Sequence, residues 1–464
     1  MFVGRKEELG ILSELLEGDD FKACLIYGRR RVGKSELIKE ATKKIDGLLL
    51  PFEAKEVVLP LNIRALENLI KEKLSLPSYV HFSNLEEAFE AVFSQAMKQK
   101  IVLVLDEFSY LPLGGEDGED ASLAKVIDKY RNTQCHLKLI VSGSYVDMLE
   151  KMIEKNRPLH GRFDQALKIK EFDYYDASLF FPDYSAEEKF KAYACFSGLP
   201  YALSLCDPKK SVEENIIRLY CRPDSILDLF VKETVNAEVS KVEGLNSVLA
   251  LIGRGKRKFS DILSVLGKDA RPEYALEKGV GLGILTKVTP INEPDNRKLT
   301  FYSFQDNLLH FYYRYILSSF ASRDLMGPEN YFREVIKEDL ETQYLPLLFE
   351  EVSKEFLIRK NREGKIKPPF YQIGTYSYND KTNRVNLPFD VVTKDKTGFT
   401  SYECKYRKEP IGEEVAKEEE SQTGSSLLPF YRLGYISKTG FTESFQQKNK
   451  LGYSLEDFYA CEGK

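Results

Sequence analysis

Phe21-Lys22-Ala23-Cys24-Leu25-Ile26-Tyr27-Gly28-Arg29-Arg30-Arg31-Val32-Gly33-Lys34-Ser35 is the stretch on which the fold of this chain turns. The apolar run up to Tyr27 reads as a buried strand, and Gly28 to Ser35 fits the pattern G-x-x-x-x-G-K-[ST] at the start of a helix. The glycines let the backbone N–H groups of Gly28, Arg31, Val32 and Gly33 turn inward around phosphate, while the helix that follows presents its positive end. Lys34 is placed to bridge the β- and γ-phosphates of ATP, and the Ser35 hydroxyl to hold Mg²⁺.

Such a loop needs carboxylates at the end of a neighbouring strand. Ile101-Val102-Leu103-Val104-Leu105-Asp106-Glu107 supplies two: Asp106 to take Mg²⁺ through water and Glu107 to polarise the attacking water. An acidic pair can also cap a helix after any buried strand, but the upstream loop favours the metal reading. Leu139-Ile140-Val141-Ser142-Gly143-Ser144 ends a further strand, with Ser142 where a γ-phosphate sensor would sit; Ser-Gly-Ser is equally ordinary turn chemistry. Arg162, in Leu159-His160-Gly161-Arg162, is either a charge stabiliser for the reaction or an interdomain salt bridge.

Working outward, Leu48–Phe52, Ile101–Leu105, Leu137–Val141 and Ala166–Ile169 are further continuous apolar runs separated by helical patterns. That alternation predicts a doubly wound parallel α/β sheet, a P-loop NTPase core over residues 1–184. Residues 185–238 read as a helical lid interrupted at Gly198-Leu199-Pro200. Residues 239–325 read as a winged helix-turn-helix: helices at Leu245–Ile252, Phe259–Leu266 and Pro272–Leu282, then strands at Leu285–Thr289 and Leu299–Ser303. Residues 326–464 start with a long helical stretch to about Arg359. Strands follow near Phe370–Tyr378, Leu387–Thr393, Thr400–Tyr406 and Arg432–Ser437, an α/β restriction-endonuclease-like order.

At 464 residues the chain exceeds one core, since single cores stop growing near ~250 to 300 residues. Its 43% hydrophobic and 30% charged content is that of a globular protein, neither disordered nor fibrous. No apolar run approaches the ~18 to 20 residues of a membrane span, and the start reaches acidic residues before any apolar stretch, so a cytoplasmic protein without a membrane partner is expected. The seven cysteines show no Cys-x-x-Cys and the four histidines no metal-ligand spacing, which argues for reduced thiols and against structural zinc. A net charge of −5 argues against a chain that coats nucleic acid along its whole surface. Two basic patches remain, Arg254 with Lys256, Arg257 and Lys258, and Arg359 with Lys360, Arg362, Lys365 and Lys367; each reads as a solvated face or a nucleic-acid contact.

Taken together with Phe2-Val3-Gly4-Arg5-Lys6-Glu7-Glu8-Leu9, Asp306-Asn307-Leu308-Leu309-His310-Phe311-Tyr312-Tyr313-Arg314-Tyr315 and Ser437-Lys438-Thr439-Gly440-Phe441-Thr442, these motifs resemble, in order, the archaeal-type AAA/STAND-related P-loop ATPases whose members often carry a C-terminal DUF234, nuclease-like domain. The resemblance implies that Gly4 and Arg5 lie near the adenine.

In Phe389-Asp390-Val391-Val392, a turn at Lys394-Asp395-Lys396-Thr397-Gly398, and Ser401-Tyr402-Glu403-Cys404-Lys405, one acid sits on the first strand of a hairpin and Glu-x-Lys on the second. Alternation puts Glu403 and Lys405 on one face. Asp390 and Glu403 are then candidate Mg²⁺ ligands, Lys405 a candidate for activating water, and Glu350 on the preceding helix a fourth member, the PD-(D/E)xK nuclease arrangement. The pattern is loose, and Leu387-Pro388-Phe389 departs from the family's usual approach to the Asp. Two functions follow. One is an ATP-hydrolysing switch coupled to Mg²⁺-dependent DNA cleavage. The other is a nucleotide-dependent regulator that binds DNA, a protein partner or a second copy of itself and keeps the C-terminal domain as a scaffold.

Overall fold

The apolar runs become strands because side chains without polar groups can be covered on both faces of a parallel sheet. In the computed structural model, which describes residues 2–113, 118–223, 225–267, 271–380, 385–424, 430–446 and 450–460, they form β1 (Lys22–Tyr27), β2 (Leu48–Glu53), β3 (Ile101–Asp106), β4 (Leu137–Gly143) and β5 (Gln165–Lys168). The order is β2-β3-β4-β1-β5, and every neighbouring pair is parallel. Every side chain of β4 is buried, whereas three of the four in β5, at the sheet edge, are exposed. Because β3, β4 and β1 are consecutive neighbours, Asp106, Ser142 and Gly28 emerge side by side at the carboxyl ends of three strands, where open α/β sheets bind ligands.

The chain divides into two compact units, Met1–Glu171 and Phe172–Lys464, a coarser partition than the four segments read from sequence. The second unit begins with helical hairpins. Its helix Ala186–Phe196 starts at a capping box in which Ser185 and Glu188 satisfy each other's backbone N–H. The Gly198-Leu199-Pro200 break needs its glycine, since a Cβ there would lie 1.8 Å from the Phe172 carbonyl oxygen. Helices Leu245–Gly253, Phe259–Leu266 and Pro272–Gly281 precede the antiparallel hairpin β6 (Leu285–Val288) and β7 (Phe301–Phe304), the order expected for the winged segment.

The long helical stretch after Pro328 is not uniform: wide π-type turns at Phe332–Ile336 and Leu340–Tyr344 interrupt it before the helix Leu345–Arg362. That helix buries Leu345, Leu348, Phe349, Val352, Phe356 and Leu357 along one stripe. It packs on a second sheet of β8 (Gln372–Asp380), β9 (Val385–Lys394), β10 (Phe399–Lys405), β11 (Phe430–Ser437) and β12 (Leu451–Ser454). The order is β12-β11-β10-β9-β8, antiparallel from β8 to β10 and parallel from β10 to β12. The sequence does not announce β12, because four residues with a central glycine carry little strand signal until β11 is there to pair with.

Among the described residues no helix is long and apolar enough to cross a membrane. Cys24, Cys135, Cys195, Cys206 and Cys221 are buried free thiols and Cys404 is half-buried and free; Cys461 lies outside the described residues.

Candidate functional site

The loop after β1 is held in shape by close backbone packing and left-handed residues. Gly28 runs so close to the chain after β5 that a Cβ would meet the Ile169 carbonyl oxygen at 2.3 Å. Arg31 and Gly33 both take left-handed backbone, with φ of 66° and 91°, which turns the loop back on itself ahead of the helix Lys34–Thr42. Arg5 braces this turn from behind. Its guanidinium donates to the Val32 carbonyl at 3.1 Å and to the Lys170 carbonyl at 2.5 Å, and pairs with Glu8. The structure therefore places Arg5 against the loop backbone, with Gly4 and Arg5 both in left-handed conformation.

Lys34 is 5% exposed and donates to the carbonyls of Gly28 (2.9 Å) and Arg29 (3.2 Å) and to Ser144 Oγ (2.9 Å). Burial pulls its pKa below that of an ordinary lysine, opposed by the charges of Glu107 and Asp106. The acceptors around its ammonium are oxygens, the atoms a phosphate would bring. Ser35 Oγ donates to Asp106 Oδ2 at 2.7 Å, and Ser142 Oγ donates to Asp106 Oδ1 at 2.5 Å. A hydroxyl and a carboxylate in contact are hard oxygen donors of the kind Mg²⁺ takes.

Glu107 begins a short turn with φ 51° and is held in place by Ser144, whose N–H donates to Oε2 at 3.2 Å and whose hydroxyl donates to Oε1 at 2.6 Å. Lys34, Ser144 and Glu107 thus form one connected chain of hydrogen bonds. Ser144 lies two residues after the sensor candidate in a stretch that reads as an ordinary turn, so the sequence alone assigns it no role of its own. Arg162 makes a two-pronged pair with Asp128 inside the first unit, Nε donating to Oδ1 at 2.8 Å and the other fork to Oδ2 at 2.6 Å.

In the second unit Asp390 lies on β9 and Glu403 and Lys405 on β10. The pairing of the two strands ends at Tyr402 with Val391, one step short of Glu403 and Asp390, so both acids stand where the strands part. Glu403 and Lys405 form an ion pair. Glu350, on the helix Leu345–Arg362, is held well above the usual carboxylate range by burial and then by the charge of Asp390. Asp390 is raised too, first by desolvation and also by Glu351, with Lys354, Arg257 and Lys405 pulling the other way. Asp390 is thus in electrostatic reach of both Glu350 and Lys405. Among the described residues no group of three or more His, Cys, Asp or Glu is placed to hold a metal ion.

Arg257 belongs to this cluster and was not anticipated there. The sequence leaves it in a basic patch that reads as a solvated face or a nucleic-acid contact. Instead its guanidinium lies 4.4 Å from the centre of the Phe301 ring, its Nε donates to the Tyr302 carbonyl at 3.4 Å, and it feels the charges of Glu351, Glu350 and Asp390. Arg359, from the second patch, is likewise turned inward. It pairs with Asp173 at 2.9 Å and with Glu363 and stacks 4.0 Å over Tyr175.

Residues 2–205 match the family described as "ATPase domain predominantly from Archaea", and residues 312–422 match DUF234, described as "Archaea bacterial proteins of unknown function". An uncharacterized protein of Methanocaldococcus jannaschii is 31% identical over 383 residues, covering 81% of this chain and 82% of that one. Among solved structures, the Walker-type ATPase paby2304 of Pyrococcus abyssi superposes with a TM-score of 0.49 at 20% identity, over 68% of this chain and 96% of that one. The ORC2 protein of Aeropyrum pernix, in ADPNP-ADP complexes, gives a TM-score of 0.44 at 15% identity, over 69% and 94%.

Proposed function

This chain belongs to the archaeal-type P-loop ATPases that carry a C-terminal DUF234 domain, and on that premise we propose that it is a Mg²⁺-dependent ATP-hydrolysing switch for a DNA-cleaving C-terminal domain. The observation that supports the switch is the chain of contacts from Lys34 through Ser144 to Glu107. When phosphate oxygens reach Lys34, its ammonium has better acceptors than Ser144 Oγ, and the hydroxyl that restrains Glu107 loses a partner. Glu107, still oriented by the Ser144 N–H and hydroxyl, is then the carboxylate placed to take a proton from the attacking water. Ser35 and Asp106 would hold Mg²⁺, which neutralises charge on the transferred phosphoryl group. Ser142, fixed to Asp106, reports on that metal and phosphate.

For the C-terminal domain, the supporting observation is the gathering of Glu350 and Asp390 in one raised-pKa group beside Lys354, Lys405 and Arg257. Carboxylates that repel each other are what a divalent cation relieves on binding. In this reading Asp390 and Glu403 are metal ligands, Glu350 completes the carboxylates, and Lys405 orients water. That requires Lys405 to leave its pair with Glu403.

The ion pair itself favours a second reading, in which the domain is a scaffold and the protein a nucleotide-dependent regulator. The winged segment supplies little direct base reading in either case. Its third helix carries Lys278 beside Glu273 and Glu277, and Lys278 lies 5.6 Å from the Tyr274 ring. Plasmid and single-strand cleavage with Mg²⁺ or Mn²⁺, with and without ATP, decides between the two. Cutting that disappears in Asp390→Ala supports the nuclease, and intact DNA under all conditions leaves the regulator.

A further inference from the structure

Away from the acidic cluster, the second sheet has a small concave site at the edge of its parallel half. Tyr402 on β10, Gly434 on β11 and Leu451 on β12 are register partners, so they point to one face of the sheet. Arg432, two residues before Gly434, and Tyr453, two after Leu451, share that face by alternation. Gly434 matters here: a Cβ on it would lie 2.5 Å from the Tyr402 ring and 3.1 Å from Leu451. The Tyr402 ring occupies that space, and it forms the floor of a cavity of about 190 Å³.

The cavity's walls are cationic. Besides Tyr402, Leu451 and Tyr453 it is lined by Arg432 and by Lys365, Ile366 and Lys367, from the turn that follows the helix Leu345–Arg362. Lys365 is paired with Glu363 at 2.8 Å. Arg432 and Lys367 are exposed and form no ion pair among the described residues; Arg432 donates only a long, 3.5 Å contact to the Lys367 carbonyl. Lys360 also acts on Tyr453 through its charge. The nearby acid, Asp457, is engaged in accepting from the Ser454 N–H at 2.6 Å and from its hydroxyl.

Two cations without a carboxylate facing one cavity leave a positive potential there that an anion would satisfy. The volume is below the ~300 to 1,000 Å³ of a drug-sized site, so the guest is small. A planar guanidinium fork beside an ammonium suits the oxygens of a phosphate. The half-buried Tyr453, packed edge-on to Phe356 at 5.1 Å, gives a rigid aromatic wall.

We propose that this cavity is a phosphate-binding site, taking the phosphate group of a nucleotide between Arg432 and Lys367. The phosphate has two possible sources, a free nucleotide or a nucleic-acid strand, and the site does not depend on whether the Asp390 cluster cleaves.

The test is calorimetric titration of the full chain carrying Lys34→Ala, which removes the phosphate loop as a competing site. The probes are inorganic phosphate, thymidine 5′-monophosphate, thymidine, and a ten-nucleotide thymidine strand bearing a 5′-phosphate. The phosphorylated probes are expected to bind and thymidine not to. Adding Arg432→Ala with Lys367→Ala should weaken binding about tenfold or more, the loss of charge-assisted hydrogen bonds. Arg432→Lys, which keeps the charge, should restore part of it and guards against a folding defect. Tighter binding of the monophosphate identifies free nucleotide as the source, and tighter binding of the strand identifies nucleic acid. No saturable binding by any phosphorylated probe, or binding indifferent to the double substitution, overturns the site.

Discussion

In the phosphate loop each carboxylate has a hydroxyl: Ser35 and Ser142 flank Asp106, and Ser144 holds Glu107. Around Asp390 the carboxylates have each other. Glu350, Glu351 and Asp390 share one neighbourhood, and the charges of Lys354, Lys405 and Arg257 only partly offset their repulsion. The first arrangement is stable as it stands and waits for substrate. In the second, burial and mutual repulsion favour the protonated form of an acid, so it waits for a cation to take that proton's place. A satisfied polar network and a strained one can lie in the same chain because only the second is expected to gain from a change of charge state.

The largest expected effect is at Lys34. Lys34→Ala should reduce ATP binding by more than about 100-fold in calorimetry, because it removes the buried ammonium that donates to the loop's own carbonyls and would donate to phosphate oxygens. Binding like wild type would show that the loop does not cradle phosphate. Glu107→Gln comes next: nucleotide affinity should hold while turnover drops roughly 10²-fold or more, the usual contribution of a general base. A Glu107→Gln variant that still turns over at the normal rate would move water activation elsewhere.

The pH dependence of stability separates the two regions more gently. Glu355 in the second unit is pushed to about 8 by burial, against an ordinary 4.5, with Asp173 adding repulsion and Tyr193 donating to it at 3.0 Å. Between those two values the folded chain keeps a proton that the unfolded chain has lost, so stability falls as pH rises from about 4.5 to about 8 and then levels. Glu350, raised likewise, adds to the same slope. Melting temperature measured across this range should decline, and Glu355→Gln should flatten the decline. At the phosphate loop of the first unit burial acts on a lysine, Lys34, and depresses it instead. A flat profile in the parent protein would show that burial does not hold these carboxylates above their ordinary range.

The difference also explains what could be read from the residues. All five strands of the first sheet stood out as apolar runs, and Gly28 to Ser35 named its own chemistry, because a phosphate loop is a contiguous structure whose residues are adjacent in sequence. The hairpin carrying Asp390, Glu403 and Lys405 was also local and was found. Glu351, Lys354 and Arg257 were not linked to it, since their placement is tertiary. Arg257 in particular sits in a run of four basic residues that reads as a solvated face, and only packing over Phe301 reveals that it turns inward. Arg359 misled in the same way, its partners Asp173 and Tyr175 being far along the chain. The edge strand β12 escaped notice because pairing with β11, rather than its own residues, makes it a strand.

The smallest effect concerns Arg162, for which two roles remained open in the sequence. Its fork is closed on Asp128, with the two side chains 27% and 54% exposed, so as a salt bridge it should contribute no more than about 1 kcal/mol. Arg162→Ala and Asp128→Ala should then lower the melting temperature by similarly small amounts, and the double substitution should add little to either, as a double-mutant cycle would show. ATP turnover should stay within about twofold in all three. A charge stabiliser behaves differently, since an arginine acting on the transferred phosphoryl group is worth roughly 10³-fold or more in rate. In that case Arg162→Ala would lose turnover with binding intact, while Asp128→Ala, which frees the guanidinium, would keep or raise it. That asymmetry between the two single variants, in a steady-state ATPase assay, is what would move Arg162 from the scaffold of the first unit into its chemistry.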